Sequence, residues 1–458
     1  MEVTAHQITP DQISTQLHRH EKIINNMKST KFQKRDWNTI PQSDHARNTV
    51  NPIRKIADAM NVETNPNKPL IKLSLGDPSI SGILPTSAIA EEAIRETVES
   101  HKYDGYGPAV GDIAARQAVV TKYSTTDAPF AADDVILASG CSHALQMAIE
   151  GLANGGDNIL VPHPGFPLYS TLCRPHGIED RAYQLDMMNG GLIDLDHLES
   201  LIDERTKAII INNPGNPTGV VMPREHLEDV LQIAARHKVV IIADEIYGDL
   251  VYDGAEFCPM SSLSPKVPII TCDGIAKRWM APGWRLGWLI VHNRHGVLSE
   301  VKKGLVALSQ KIVGPCSIVQ GALPKILLET PESYFEYNRS VISRNAKIIT
   351  NALKNVPGIR TLRPQGAMYL MVGIDKSIYG DDLVFSQKLA RDESLIVLPG
   401  GAFSVPGWIR LVITYPEDIM VESAHRIQNF CASLLATGTA EVDSSDEGCD
   451  ISSSDPEI

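Results

Sequence analysis

The chain is poor in aromatic residues, 5% of its 458, and has no surplus of positive charge, its formal net charge being -13. It lacks any apolar run long enough to span a bilayer. Its first residues lack the short apolar core of a secretory signal. Residues 1–36 carry six Lys/Arg and four Asp/Glu, too many acids for a transit peptide. Seven cysteines lie scattered at 141, 173, 258, 272, 316, 431 and 449, with no C-x-x-C. An odd, dispersed set argues against a disulfide frame or a zinc site and fits reduced thiols in the cytoplasm. The fourteen histidines show no H-E-x-x-H spacing, so no metal site is expected. Seven of the negative charges fall in residues 441–458, which hold no Lys or Arg, and the remaining body of about -6 is no nucleic-acid binder by charge.

What is present reads as an ordinary folded enzyme, 43% apolar and 21% charged. The length exceeds one compact core, so a large and a small domain are expected. Residues 1–45 are polar and without periodicity, an arm. Apolar patterning begins at Asn51-Pro52-Ile53-Arg54. The alternation Ile71-Lys72-Leu73-Ser74-Leu75 predicts a half-buried strand ending in the turn Gly76-Asp77-Pro78. A helix is expected near 86–101, with Ala90, Ala93, Ile94 and Val98 on its buried face, and another over 112–123.

From 135 to 291 one pattern repeats. Short apolar runs at 135–138, 158–161, 208–212, 239–243, 269–272 and 286–291 alternate with helical stretches such as 223–237. Nearly continuous apolar strands alternating with helices predict an α/β fold, a mostly parallel sheet covered on both faces. After about 335 the mix changes: a helix over 334–356, a strand within 366–372, a helix near 381–392, strands near 395–399 and 408–413, and a helix over 417–435. This predicts a smaller α+β domain. The Ser/Asp/Glu-rich end from Thr437 predicts disorder.

In such sheets ligands bind beyond the carboxyl ends of the strands. There lie Ser139-Gly140-Cys141-Ser142, Pro164-Gly165-Phe166, Asn213-Pro214-Gly215-Asn216-Pro217 and Asp244-Glu245-Ile246-Tyr247. The stretch Gly274-Ile275-Ala276-Lys277 leads into Gly283-Trp284-Arg285-Leu286-Gly287. Lys277 has apolar sequence neighbours, where desolvation lowers an amine's pKa and suits it to Schiff-base chemistry. Arg285 is a cation for a phosphate. Gly140, at a strand-to-helix turn, allows phosphate to approach backbone N–H groups. Cys141 reads as a packed residue. An acid ending a buried strand, Asp244, needs a partner; a helix N-cap explains it as well as a ligand does. Phe166 stacks on a planar ring or packs in the core. Arg410, inside an apolar strand, either pairs with Asp or Glu or clamps a substrate carboxylate.

Together these motifs resemble the class I, fold-type I aminotransferases, which use pyridoxal 5′-phosphate (PLP). The likeness runs over roughly 37–435, through Ser74-Leu75-Gly76-Asp77-Pro78, Tyr106-Gly107-Pro108, Ala276-Lys277-Arg278-Trp279, Gly314-Pro315-Cys316, Gly366-Ala367-Met368-Tyr369 and Arg410. Within the family the motifs are most similar to the tyrosine-specific members. The resemblance implies a large PLP-binding domain (85–333), a small domain from 46–84 and 334–436, an arm (1–45) and an acidic tail (437–458). It implies that Lys277 anchors the cofactor and shuttles the proton, and that Asp244 holds the pyridine nitrogen. Tyr247 and Asn216 contact the ring oxygen and Phe166 stacks on the ring. Arg285, Ser142, Gly140 and Cys141 hold the phosphate. Arg410, with Gly76 and Asn216, takes the substrate. Tyr106 reaches the neighbouring subunit's phosphate in a homodimer. The implied reaction passes the amino group of L-tyrosine to 2-oxoglutarate, the first step of tyrosine breakdown; a broad-range or alanine-type aminotransferase and a carbon–sulfur lyase are the alternatives. One departure stands out: many members have a serine where this chain has Gly274, which shifts phosphate binding toward Ser142 and Arg285.

Overall fold

The computed structural model describes residues 39–60 and 62–437. Most of the expected arm and residues 438–458 of the expected tail lie outside them. The chain divides into two compact units, residues 1–44 and 45–458, and every element named below belongs to the second.

A two-residue strand, β1 (Ile71–Lys72), precedes the main sheet. The main sheet comprises β2 (Val135–Ala138), β3 (Asn158–His163), β4 (Glu179–Gln184), β5 (Thr206–Asn212), β6 (Val240–Asp244), β7 (Ile269–Gly274) and β8 (Gly287–His292). Their order is β2-β8-β7-β6-β5-β3-β4. All run parallel except β8, which is antiparallel to both its neighbours. Alternate residues feed opposite faces. Ile136, Ile210, Ile242 and Ile270 pack with the helix Cys141–Leu152 on one side. Ile209, Ile211, Ile241 and Ile269 pack with the helix Arg224–His237 on the other. Burial on both faces explains why these strands read as unbroken apolar runs.

The antiparallel turn of β8 has a simple cause. A parallel crossover usually runs through an α-helix that carries the chain back along the sheet. Between β7 and β8 the chain forms only the single-turn 3-10 helix Pro282–Trp284. The stretch holding Lys277 and Arg285 therefore stays at the strand ends instead of crossing the sheet.

A second sheet is antiparallel throughout: β9 (Ile359–Leu362), β10 (Tyr369–Ile374), β12 (Leu398–Pro399) and β13 (Trp408–Val412), in the order β12-β13-β10-β9. β11 (Leu395–Ile396) pairs in parallel with β1. The single strand expected over 395–399 is thus two, since the chain changes sheets at Val397. The helices Glu332–Leu353 and Glu417–Thr437 pack on this part.

Three expectations need correction. β4 was not expected; its sequence, Glu-Asp-Arg-Ala-Tyr-Gln, is polar because it forms an edge of the main sheet. In the helix Ala88–Ser100 the buried stripe is Ala90, Ala93 and Thr97, whereas Val98 is 46% exposed. Thr97 is tolerated inside because its Oγ1 donates to the Ala93 carbonyl at 2.7 Å. Pro223 caps its helix from outside the first turn, with an extended ψ of 157°.

Candidate active site

The carboxyl ends of β2, β5, β6 and β7, with the Ser74–Gly76 loop that follows β1, surround a cavity of about 380 Å³. Lys277, Asp244, Tyr247, Asn216, Phe166, Cys141, Ser142, Arg285, Arg410 and Gly76 all line it. These residues span more than 330 positions of sequence, and only the tertiary fold brings them together.

Asp244 ends β6 and is 2% exposed. Its Oδ2 accepts from Tyr169 Oη at 2.7 Å, and its Oδ1 from Cys141 Sγ at 3.6 Å and the Ile246 amide at 3.4 Å. These partners are neutral donors. Burial raises the Asp244 pKa, while the donors and the charge of Lys277 pull it down. No helix follows β6 directly, so the N-cap reading of Asp244 is set aside. The carboxylate is placed to receive a cation from the cavity. Burial also pushes the Cys141 thiol well up, which fits a packed thiol and not a nucleophile.

Arg410 is 3% exposed, and among the described residues no carboxylate pairs with it. Its Nη2 donates to the Ser74 carbonyl at 2.8 Å and its Nη1 to Asn216 Oδ1 at 3.1 Å. Its Nε is buried without a partner. The guanidinium lies 4.3 Å from the Tyr369 ring centre and 4.7 Å from that of Phe403. Burial lowers its pKa. A desolvated cation held by aromatic faces and neutral acceptors is poised for an anion.

Lys277 is half-buried, and its Nζ donates to the Gly76 carbonyl at 2.7 Å. It lies 6.0 Å from the Tyr247 ring centre. Tyr247 Oη and Tyr369 Oη share a hydrogen bond of 2.8 Å, and burial drives the Tyr247 pKa well up. The apolar sequence around Lys277 thus misdescribes its surroundings: the turn sends Ile275 into the core and the amine toward a carbonyl and the cavity.

At the other end Gly140, with φ 79°, opens the helix Cys141–Leu152, whose first N–H groups have no intrahelical acceptors. Arg285 Nη1 donates to the Pro282 carbonyl at 2.9 Å and Nη2 to the Ser139 carbonyl at 3.2 Å. This lays the guanidinium on Gly140, where a Cβ would come 2.5 Å from Nη2. Exposed Ser142 completes an anion cradle. Gly274 pairs with Gly287 across β7 and β8, and a Cβ there would lie 2.7 Å from the Leu286 carbonyl. The missing serine is therefore a packing matter as well as a chemical one.

Phe166 lines the cavity and meets Tyr169 edge-on at 5.9 Å. Tyr106 is apart from the others, 96% exposed and outside the cavity of its own chain. Three residues of the site were not singled out from sequence. Asn212, at the end of β5, donates from Nδ2 to the Asp244 carbonyl at 3.1 Å and accepts the Asn216 amide at 2.7 Å. Tyr169 holds Asp244, and Tyr369 holds Tyr247 and Arg410. The polar end of an apolar strand is the available signal for Asn212; the two tyrosines carry no local signal of their own.

The family model described as aminotransferase class I and II matches residues 68–427. A tyrosine aminotransferase of Caenorhabditis elegans is 60% identical over 446 residues, covering 97% of this chain and 96% of the worm protein. The human tyrosine aminotransferase is 47% identical over 405 residues, 88% of this chain and 89% of the human one. The solved tyrosine aminotransferase of Leishmania infantum matches with a TM-score of 0.84 at 33% identity, over 87% of this chain and 99% of its own. With its mostly parallel sheet, its lysine turn and its buried acid and arginine around one cavity, this chain belongs to the class I and II aminotransferases and has their fold-type I architecture.

Proposed function

We propose that the enzyme moves the amino group of L-tyrosine to 2-oxoglutarate, giving 4-hydroxyphenylpyruvate and L-glutamate, with PLP as cofactor. The observation that carries this reading is Arg410, a buried arginine without a carboxylate, in one cavity with Lys277 and Asp244. The names of the relatives support tyrosine as the donor.

The residues fit PLP. Asp244 is a buried anion with only neutral donors on it, and it would hold the pyridine nitrogen. The Gly140–Cys141–Ser142 amides and Arg285 form the anion cradle for the phosphate. Tyr247 and Asn216 would flank the ring oxygen, Phe166 would cover the ring, and Lys277 would carry the covalent link. When bound, PLP supplies an electron sink that acidifies the α-C–H of an attached amino acid. The protein's own share is orientation and proton transfer. Arg410 grips the α-carboxylate through two N–H groups. Gly76 leaves room beside it, since a Cβ there would come 2.7 Å from Tyr369 Oη. Lys277 Nζ removes the proton from the substrate Cα, and returns one to the Cα of the product amino acid in the second half-reaction.

Exposed Tyr106 fits a role at the neighbouring subunit's phosphate in a homodimer, as is general in this family. Residues 85–333 serve as the large domain and 46–84 with 334–436 as the small one. Among the described residues no helix is long and apolar enough to cross a membrane, and scattered thiols support a cytoplasmic site of action. The test is a single half-reaction. Purified enzyme loaded with PLP and given L-tyrosine without a keto acid should change its visible spectrum and release one equivalent of 4-hydroxyphenylpyruvate. An unmoved spectrum overturns the reading. Ammonia and pyruvate from a cysteine conjugate would identify a lyase instead.

A further inference from the structure

Two pairs of consecutive residues straddle the end of the main sheet. Asp244 and Lys277 line the active cavity. Glu245 and Arg278, their successors, line a separate cavity of about 200 Å³ with Asp273, Asp249 and Tyr123. Asp273 and Thr271 of β7 point away from Cys272 and the active side, and share their face with Trp288 and Ile290 of β8.

Arg278 is 3% exposed and Asp273 is 4% exposed. Arg278 Nη2 donates to Asp273 Oδ2, and the same carboxylate accepts the Gly274 amide at 2.6 Å through Oδ1. The ion pair thus closes residues 273–278 into a loop, and Lys277 is the residue just before the clasp. Arg278 Nη1 donates to Asp249 Oδ2 at 3.0 Å. Asp249 ends the turn that begins at Asp244 and contains Tyr247, and it holds a left-handed φ of 60°. One guanidinium therefore ties the turn of the lysine to the turn of Asp244 and Tyr247. The Arg278 guanidinium lies 5.2 Å from the Tyr123 ring centre and 5.1 Å from that of Trp279. Trp279 is in turn fixed by Nε1 donating to the Ile326 carbonyl at 3.2 Å.

We propose that Arg278 is a positioning residue for transamination: from behind the sheet, its contacts to Asp273 and Asp249 set the Lys277 amine against the Asp244–Tyr247 turn. This rests on the proposed function. Planar, two-pronged bonding is what the site uses, so a lysine cannot replace the arginine. A misplacement of the amine by about an ångström is enough to cost about a hundredfold in rate.

The test compares the PLP-loaded wild type with Arg278→Lys, Arg278→Met and Asp249→Asn. Three quantities are read: kcat and KM for tyrosine, visible absorbance, and the circular dichroism of bound PLP, which reports a fixed cofactor orientation. Both Arg278 variants should keep PLP absorbance and a near-normal KM. Their kcat should fall about 10- to 100-fold, and the visible circular dichroism should fall with it. Asp249→Asn, at an exposed position, should show the same pattern within a few-fold of wild type. If the folded, PLP-bound variants keep the wild-type kcat and circular dichroism and lose only thermal stability, the proposal is overturned. Should Arg278→Met not fold, Arg278→Lys and Asp249→Asn decide by the same readouts. A wild type that never reacts with tyrosine would instead defeat the proposed function, which separates the two failures.

Discussion

The active cavity and the polar cluster behind the main sheet each bury an arginine at 3% exposure, in opposite company. Arg410 has carbonyl, amide and aromatic partners and, among the described residues, no carboxylate. Arg278 has two carboxylates, Asp273 and Asp249. A buried charge is costly until it is neutralised. Arg278 is neutralised by the fold itself and so belongs to the folded state. Arg410 has no such counter-ion among the described residues, and under the proposed function a substrate carboxylate would supply it. The carboxylates repeat the contrast. Asp273 is paired, whereas Asp244 holds only neutral donors. Charge company, more than burial, separates the cavity's charged residues from those behind the sheet.

The largest effect expected on the cavity side is from Lys277→Ala. Turnover should fall by about 10²- to 10⁴-fold, the usual worth of a positioned acid–base group, checked by keto-acid release. Next comes the direct contrast of the arginines by thermal or urea unfolding of the PLP-free protein. Arg278→Met leaves Asp273 buried and unpaired and should cost about 3–5 kcal/mol. Arg410→Met removes a charge that has no counter-ion and should leave stability equal or higher, while kcat/KM for tyrosine falls by the equivalent of about 2–5 kcal/mol. Equal losses of stability in the two variants would erase the distinction.

Gly274→Ser should cost about 1–3 kcal/mol through overpacking against the Leu286 carbonyl and should not tighten PLP, as measured by cofactor titration. The last effect is a pH dependence and concerns Glu245, which burial pushes up to about 8, with Asp273 and Asp249 adding to the shift and the Met260 amide and Arg278 opposing it. Its proton is held in the folded state and lost earlier in the unfolded one. Its contribution is therefore full below the ordinary carboxylate range and declines as pH rises toward about 8. Glu245→Gln should flatten that decline in urea midpoints between pH 5 and 8.

Much of this was legible in the sequence because it is local. Runs of Val, Ile and Leu marked six strands of the main sheet, since strands buried on both faces cannot carry alternating polarity. Turn residues at the strand ends pointed to the candidate site, where the residues they flag line one cavity. β4 was hidden because an edge strand tolerates charge. Val98 was placed inside because a period of 3.6 residues permits either it or Thr97, and only the neighbouring helix chooses. Tyr169 and Tyr369 were silent because a tyrosine whose hydroxyl serves an active-site residue looks like any core aromatic.

The sequence by itself determined the alternation of strands and helices, the lysine turn and the acid at the end of β6, all consequences of short-range periodicity and turn chemistry. Only the tertiary structure decided which buried charges are paired. Arg410 meets Ser74 and Asn216, and Lys277 meets Gly76, across separations of 336, 194 and 201 residues. Electrostatic cost depends on what stands within a few ångströms in space, and no local pattern encodes that distance.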